Sequence, residues 1–135
     1  MESKENAFLD CAGWQAMLER EDIAAASAWI GVLRREDFTS HRGTLLVWRG
    51  EGENGATHVS AALREYAGAA GPDVALLLVV DDDAVNTLRG EGLASMQTLV
   101  RQGKLHPYIL KTMDQLEDAG LSDFVEDLGL VFPKH

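Results

Sequence analysis

The run Val74-Ala75-Leu76-Leu77-Leu78-Val79-Val80 decides the fold class. A strand with one wet face alternates apolar and polar residues, and this run does not alternate. It predicts a strand covered on both faces, the arrangement found inside α/β sheets. Upstream, Thr44–Trp48 (TLLVW) reads as a second strand, followed by a polar turn over Gly50–Gly55. Val59, Leu63 and Tyr66 recur at helical spacing and predict a helix over residues 57–67, stopped by Gly68, Gly71 and Pro72. Strand, helix and buried strand in this order predict a βαβ unit with neighbouring parallel strands.

Downstream, Leu93, Met96, Leu99 and Val100 share one helical face ending at Gly103. Pro107 makes Leu105–Leu110 an edge or short strand, because proline cannot donate to a ladder on both sides. A helix over residues 111–119 is stopped by Gly120, and Ser122 is positioned to cap a last helix over 123–128. At the other end, residues 8–20 read as a helix. Asp22 is positioned to cap a second one over 23–35, with Ile23, Ala26, Ile30 and Leu33 on one stripe. A boundary near 38–42 then separates a helical N-terminal segment (1–38) from an α/β domain (39–135). The expected fold is a small, mostly parallel or mixed sheet flanked by helices and preceded by N-terminal helices.

The 135 residues suit one compact core. Acids outnumber bases 22 to 12, for a net charge of -10. Such a chain repels nucleic-acid phosphates and anionic lipid, and it suits a basic protein partner as well as solubility. The longest apolar run is too short to cross a bilayer. Met1–Asp10 is mixed polar and charged rather than an apolar leader, so the expected compartment is the cytoplasm. One cysteine, Cys11, excludes a disulfide framework within the chain.

Three motifs carry candidate chemistry. Gly50-x-Gly52-x-x-Gly55 has the outline of a dinucleotide fingerprint, but Glu51 and Glu53 would face the pyrophosphate, where donors and positive potential are needed. Asp81-Asp82-Asp83 follows the buried strand, where ligands of parallel sheets sit and carboxylates can hold Mg²⁺. Adjacent side chains at a strand end diverge, so turn formation competes with that reading. His41, His58, His106 and His135 lack the i, i+4 spacing of a helical metal pair. No nucleophile is paired with a base at interpretable spacing, so no catalytic residue, metal ligand or cofactor is assigned.

The order of features over residues 44–127 resembles the STAS domain, the fold of bacterial anti-anti-sigma factors. The matching features are a strand leading to Gly50-Glu51, the segment HVSAALREYA, a strand ending in Asp81, the motif Arg89-Gly90-Glu91-Gly92-Leu93, and a helix ending Leu116-Glu117-Asp118-Ala119-Gly120-Leu121. The resemblance implies a regulatory protein-binding module. It places partner contact on Arg89, Gly90, Glu91, Gly92 and Ser95, with Glu51 and Glu53 on an adjoining turn. Gly90 stands where that family carries its phosphorylatable serine, so a kinase switch at this position is lost. Glu91, at an expected helix start, offers part of the missing charge.

The leading expectation is therefore a non-catalytic, regulatory protein–protein interaction module with a basic or amphipathic partner. Two alternatives stand beside it. One is a small α/β enzyme or ligand-binding protein using Asp81–Asp83. The other is an acidic immunity-type inhibitor or structural subunit. The stretch Asp114–Asp127, with six acids and no base, is the competing interaction face.

Overall fold

The computed structural model describes residues 8–21, 23, 25–53 and 56–128, and leaves aside the side chains of residues 53, 56 and 57. Asp22, Asn54, Gly55 and His135, which entered the sequence reading, lie outside the described residues. Helix α1 (Cys11–Glu19) precedes strand β1 (Trp29–Arg34) and helix α2 (Arg35–Ser40). Strands β2 (Gly43–Glu53), β3 (Ala56–Tyr66) and β4 (Val74–Val80) follow. Helix α3 (Asp82–Glu91), a 3-10 turn (Leu93–Ser95), helix α4 (Met96–Arg101), strand β5 (Leu105–Ile109) and helices α5 (Met113–Ala119) and α6 (Ser122–Asp127) complete the described residues.

The five strands form one mixed sheet in the order β3-β2-β1-β4-β5. Among the described strands β1 and β4 run parallel and the other three pairings are antiparallel, with one isolated parallel bridge at Ala25↔Gly50. The fold is thus α/β, a mixed sheet flanked by helices with a helix ahead of it. Strand β4 lies inside the sheet and is buried at all seven positions. Leu76, Leu78 and Val80 enter the core beneath the helices, while Leu77 and Val79 enter a smaller cluster on the opposite face. Each fully buried leucine contributes about 1.5–3 kcal/mol of transfer free energy, so this strand anchors both layers.

Two expected helices are strands. Within 23–35, Trp29–Arg34 is β1, which pairs with β2 on one side and β4 on the other. Ile30 and Val32 face one layer and Leu33 the other. The helical stripe was produced by reading both faces as one. Strand β1 occupies the middle of the sheet, so Trp29–Arg34 belongs to the sheet, while Cys11–Glu19 of the same segment is helical. Within 57–67, Val59 and Tyr66 likewise belong to opposite faces, and residues 56–66 pair with β2 along its whole length, from Gly43↔Tyr66 to Glu53↔Ala56. The expected βαβ unit is therefore an antiparallel pair. The parallel partner of β4 is β1, reached across that pair. The sequence signal for this was Asn54-Gly55, the dipeptide favoured in two-residue hairpin connections.

Helix α1 seals the outer edge of β3. The Gln15 side-chain amide donates to the Val59 carbonyl and accepts from Ala61 N–H at 3.0 Å, as a neighbouring strand would. The Cys11 thiol lies 3.6 Å from the Ala61 carbonyl. An edge strand left open in this way would be a template for further pairing. At the C-terminal end, Gly120 has φ of 83° and ends α5 in the left-handed region, as its position after residue 119 predicted. Leu121 rather than Ser122 precedes α6, which has no side-chain cap.

Candidate functional site

A cleft of about 600 Å³ lies between the sheet and the C-terminal helices. Its floor is Ile30 of β1 and Trp48 of β2. One wall is the 3-10 turn and the start of α4, with Leu93, Ala94 and Met96. The opposite wall is Leu121, Phe124 and Leu128 around α6. Phe124 meets Trp48 edge-to-face, with ring centroids 5.5 Å apart at 78°. Such pairs contribute about 0.5–1.5 kcal/mol beyond area burial and fix both rings.

Local backbone chemistry holds the walls apart. Residues 25–27 run between β2 and α5, with Ala26 N–H donating to the Gly50 carbonyl and Ser27 N–H to the Ala119 carbonyl, each at 2.9 Å. Gly120 makes this passage available, because a Cβ there would lie 2.9 Å from the Ala25 carbonyl oxygen. Across the cleft, the Glu21 carboxylate accepts from Leu93 N–H at 2.9 Å and secures the start of the 3-10 turn. Gly92, at φ of 82°, leaves no room for a Cβ against that carboxylate.

The rim is acidic. Glu21, Asp123 and Asp127 line the opening, and among the described residues neither Asp123 nor Asp127 is paired with a base. Arg49 also reaches the lining, but its guanidinium is held by Glu51 at 3.1 Å and stacks 4.4 Å from the Trp29 ring centroid. Three carboxylates and the paired Arg49 guanidinium thus border an apolar lining.

The residues assigned from sequence are divided by the structure. Gly50 and Leu93–Ala94, neighbours of the assigned residues, line the cleft, but Arg89, Gly90, Glu91, Gly92, Ser95, Glu51 and Glu53 do not. The charged side chains themselves are engaged elsewhere. Arg89 pairs with Asp10 at 3.0 Å and lies 5.6 Å from the Trp14 ring centroid, tying α3 to the start of α1. Glu51 binds Arg49 along β2 and His58 across the β2–β3 ladder. Hydrogen bonding from Ser60 and then Arg49 holds the Glu51 carboxyl below its ordinary range. Glu53 ends β2, opposite Ala56. Gly90 is exposed, with open space around it. Ser95 donates to the Gly92 carbonyl at 2.7 Å. Glu91 closes α3 at its C-terminus, whereas a helix start was expected, so its charge opposes the helix dipole there. Glu91 and Ser95 line a separate shallow hollow that shares Ala94 with the cleft.

The acidic run is a cap. Asp81 accepts from Ala84 N–H at 2.8 Å, and Asp82 and Asp83 occupy the first turn of α3, where the helix dipole favours acids. Among the described residues, no three His, Cys, Asp or Glu side chains converge to hold a metal ion. Gly50 and Gly52 belong to strand β2, so the glycine spacing there does not form a phosphate-cradling loop. His58, expected on a helix, lies in β3.

The cleft residues were invisible individually. Trp48 entered the reading as part of a strand and Leu93 as part of a helical face, Phe124 was not singled out, and their convergence depends on β1 being a strand. The legible signal was the acidic stretch Asp114–Asp127, whose second helix, α6, supplies Asp123 and Asp127.

No protein-family model and no curated protein sequence matches the chain. Among solved structures, it is similar to an apo-form sterol carrier protein 2 from Yarrowia lipolytica, at 15% identity over 78% of each chain with a TM-score of 0.33. No helix among the described residues is long and apolar enough to cross a membrane.

Proposed function

We propose that the chain is a non-catalytic, regulatory interaction module of the cytoplasm that takes a basic amphipathic helix of a protein partner into the cleft. The observation that carries this reading is one apolar lining, Ile30 and Trp48 on the floor and Phe124 on the wall, beside Glu21, Asp123 and Asp127. An amphipathic helix presents apolar anchors at i, i+3 and i+4 with lysine or arginine beside them. The anchors match the floor, and the flanking charges match the rim. Carboxylates at the rim act chiefly on association rate and partner choice, while the aromatic floor holds the complex together. An acidic inhibitor that neutralises a basic partner uses the same chemistry. Partner contact then centres on α6 and the 3-10 turn, with Arg89 and Glu51 supporting neighbouring structure.

The test is chemical-shift mapping of the isotopically labelled protein with a helical leucine–lysine peptide carrying leucines at i, i+3 and i+4. The reading expects the amides of Ala26, Gly50, Ala94 and Phe124 to move together and saturate. Movement confined to Arg89–Glu91 and Glu51 would contradict it. So would saturation of the cleft by dodecanoate with no response to the peptide, which would assign the cleft to small apolar ligands instead.

A further inference from the structure

We propose that the cleft of the free protein is filled by the chain's own residues 129–135, which the partner helix must displace. The proposal rests on the reading of the cleft given above and adds its regulation. Leu128, the last of the described residues, lines the cleft beside Phe124 and Asp127. The next seven residues in sequence are Gly129-Leu130-Val131-Phe132-Pro133-Lys134-His135. Three apolar side chains in succession are followed by Lys134, with no acid among them. That is the chemistry the cleft fits, apolar anchors beside a base, joined directly to its wall.

The end of α5 shows how such a segment is turned back. Gly120 adopts φ of 83°, and Leu121 N–H donates to the Leu116 carbonyl at 2.8 Å with both leucines buried. Leu128-Gly129-Leu130 repeats the pattern Ala119-Gly120-Leu121 after α6, where Leu128 N–H bonds to the Phe124 and Val125 carbonyls. The same reversal directs Leu130 against Val125 and Phe124, and Phe124 is the cleft wall. Pro133 disfavours the helical region for Phe132, so the segment continues extended. Leu130 and Phe132 then share one face, at the two-residue period of an extended chain.

Charge and tethering favour this occupant. Glu21, Asp123 and Asp127 border the lining, and among the described residues neither aspartate is paired with a base. Extended, the stretch from Leu128 to Lys134 reaches about 20 Å, enough to bring Lys134 to these carboxylates once Phe132 enters the cleft. A segment tethered at the wall acts at an effective concentration on the order of millimolar. Two apolar anchors and one lysine then suffice where a free peptide of this length would not stay bound. A partner helix, or the same segment of a second copy, competes against that concentration.

Nuclear Overhauser contacts in the isotopically labelled full chain test the proposal. The Phe132 ring should contact the Trp48 indole, and isotope-filtered spectra of mixed labelled and unlabelled chains should show no such contact between chains. Leu130→Ser with Phe132→Ser empties the cleft and alters no described residue. It should shift the amides of Ala26, Gly50 and Ala94 and tighten binding of the leucine–lysine helix. A segment that fills the cleft about nine-tenths of the time weakens the helix about tenfold, which sets the expected gain. Lys134→Glu should also tighten the helix, by a factor that shrinks as salt rises. Absence of the Phe132–Trp48 contact, a contact only between chains, or a helix bound equally by the parent and the double variant would each overturn the proposal. A Phe132–Trp48 contact within one chain, with no helix binding by either protein, would support it and overturn the partner reading instead.

Discussion

Asp81 accepts from Ala84 N–H at 2.8 Å, and that one bond separates two chemistries at the end of β4. A cap needs only an oxygen at this place, whereas a metal ligand needs the negative charge. Asn caps a helix about as well as Asp, and Ala costs about 1 kcal/mol. Thermal denaturation should therefore find Asp81→Asn close to the parent and Asp81→Ala less stable by about 1 kcal/mol, with or without Mg²⁺. Magnesium-dependent stabilisation lost in Asp81→Asn would restore a ligand-binding role. Asp73 illustrates the same economy at the opposite end of the strand. Its bidentate bond with Arg64, at 2.7 and 2.9 Å, holds its carboxyl below the ordinary range. A carboxyl depressed in the folded state stabilises the fold above its unfolded value and loses that contribution as pH falls through the folded one. Melting temperatures measured downward from about pH 4, the ordinary carboxylate value, should fall less steeply in Asp73→Asn than in the parent. Equal slopes would mean that the pair contributes nothing.

At the scale of elements, legibility followed how many faces a segment buries. Strand β4 was plain because every position is apolar, and α5 because Gly120 ends it in the conformation that glycine favours. Strands β1 and β3 were misread because each contributes side chains to two layers. Ile30 and Leu33, or Val59 and Tyr66, happen to fall at helical spacing although they point to opposite sides of the sheet. Periodicity alone has no means of separating these cases. The cleft inherits that blindness, since its floor needs β1 beside β2. Its acidic rim was legible because charge is additive along the chain and needs no fold to be counted. Helix α1 was expected, but its task was not. Gln15 stands in for a missing strand at the β3 edge, so Gln15→Ala leaves the outward Val59 carbonyl and Ala61 N–H without this partner. The substitution should cost about 1–3 kcal/mol by denaturant titration. It should also raise amide exchange at Ala61 before exchange in β4. Unchanged exchange at Ala61 would show that the edge is sealed by packing alone.

For the whole molecule, a net charge of -10 is unevenly spread. Six acids without a base fall between Asp114 and Asp127, next to a stretch, 101–112, that carries bases and no acid. This polarity gives the cleft rim and the β5 edge opposite electrostatic characters. The central claim is that the apolar cleft and its rim, rather than the Arg89–Ser95 turn, choose the partner. Affinity for the leucine–lysine helix, followed by tryptophan fluorescence, tests it most directly, because Trp48 forms the floor. The double reversal Asp123→Lys with Asp127→Lys should weaken binding by about tenfold or more at low salt, with the difference shrinking as salt rises. Glu91→Lys should leave affinity within about twofold, since its side chain lies outside the cleft and an exposed substitution is usually near neutral. The opposite pattern, with Glu91→Lys abolishing binding and the rim reversal leaving it intact, would contradict the account.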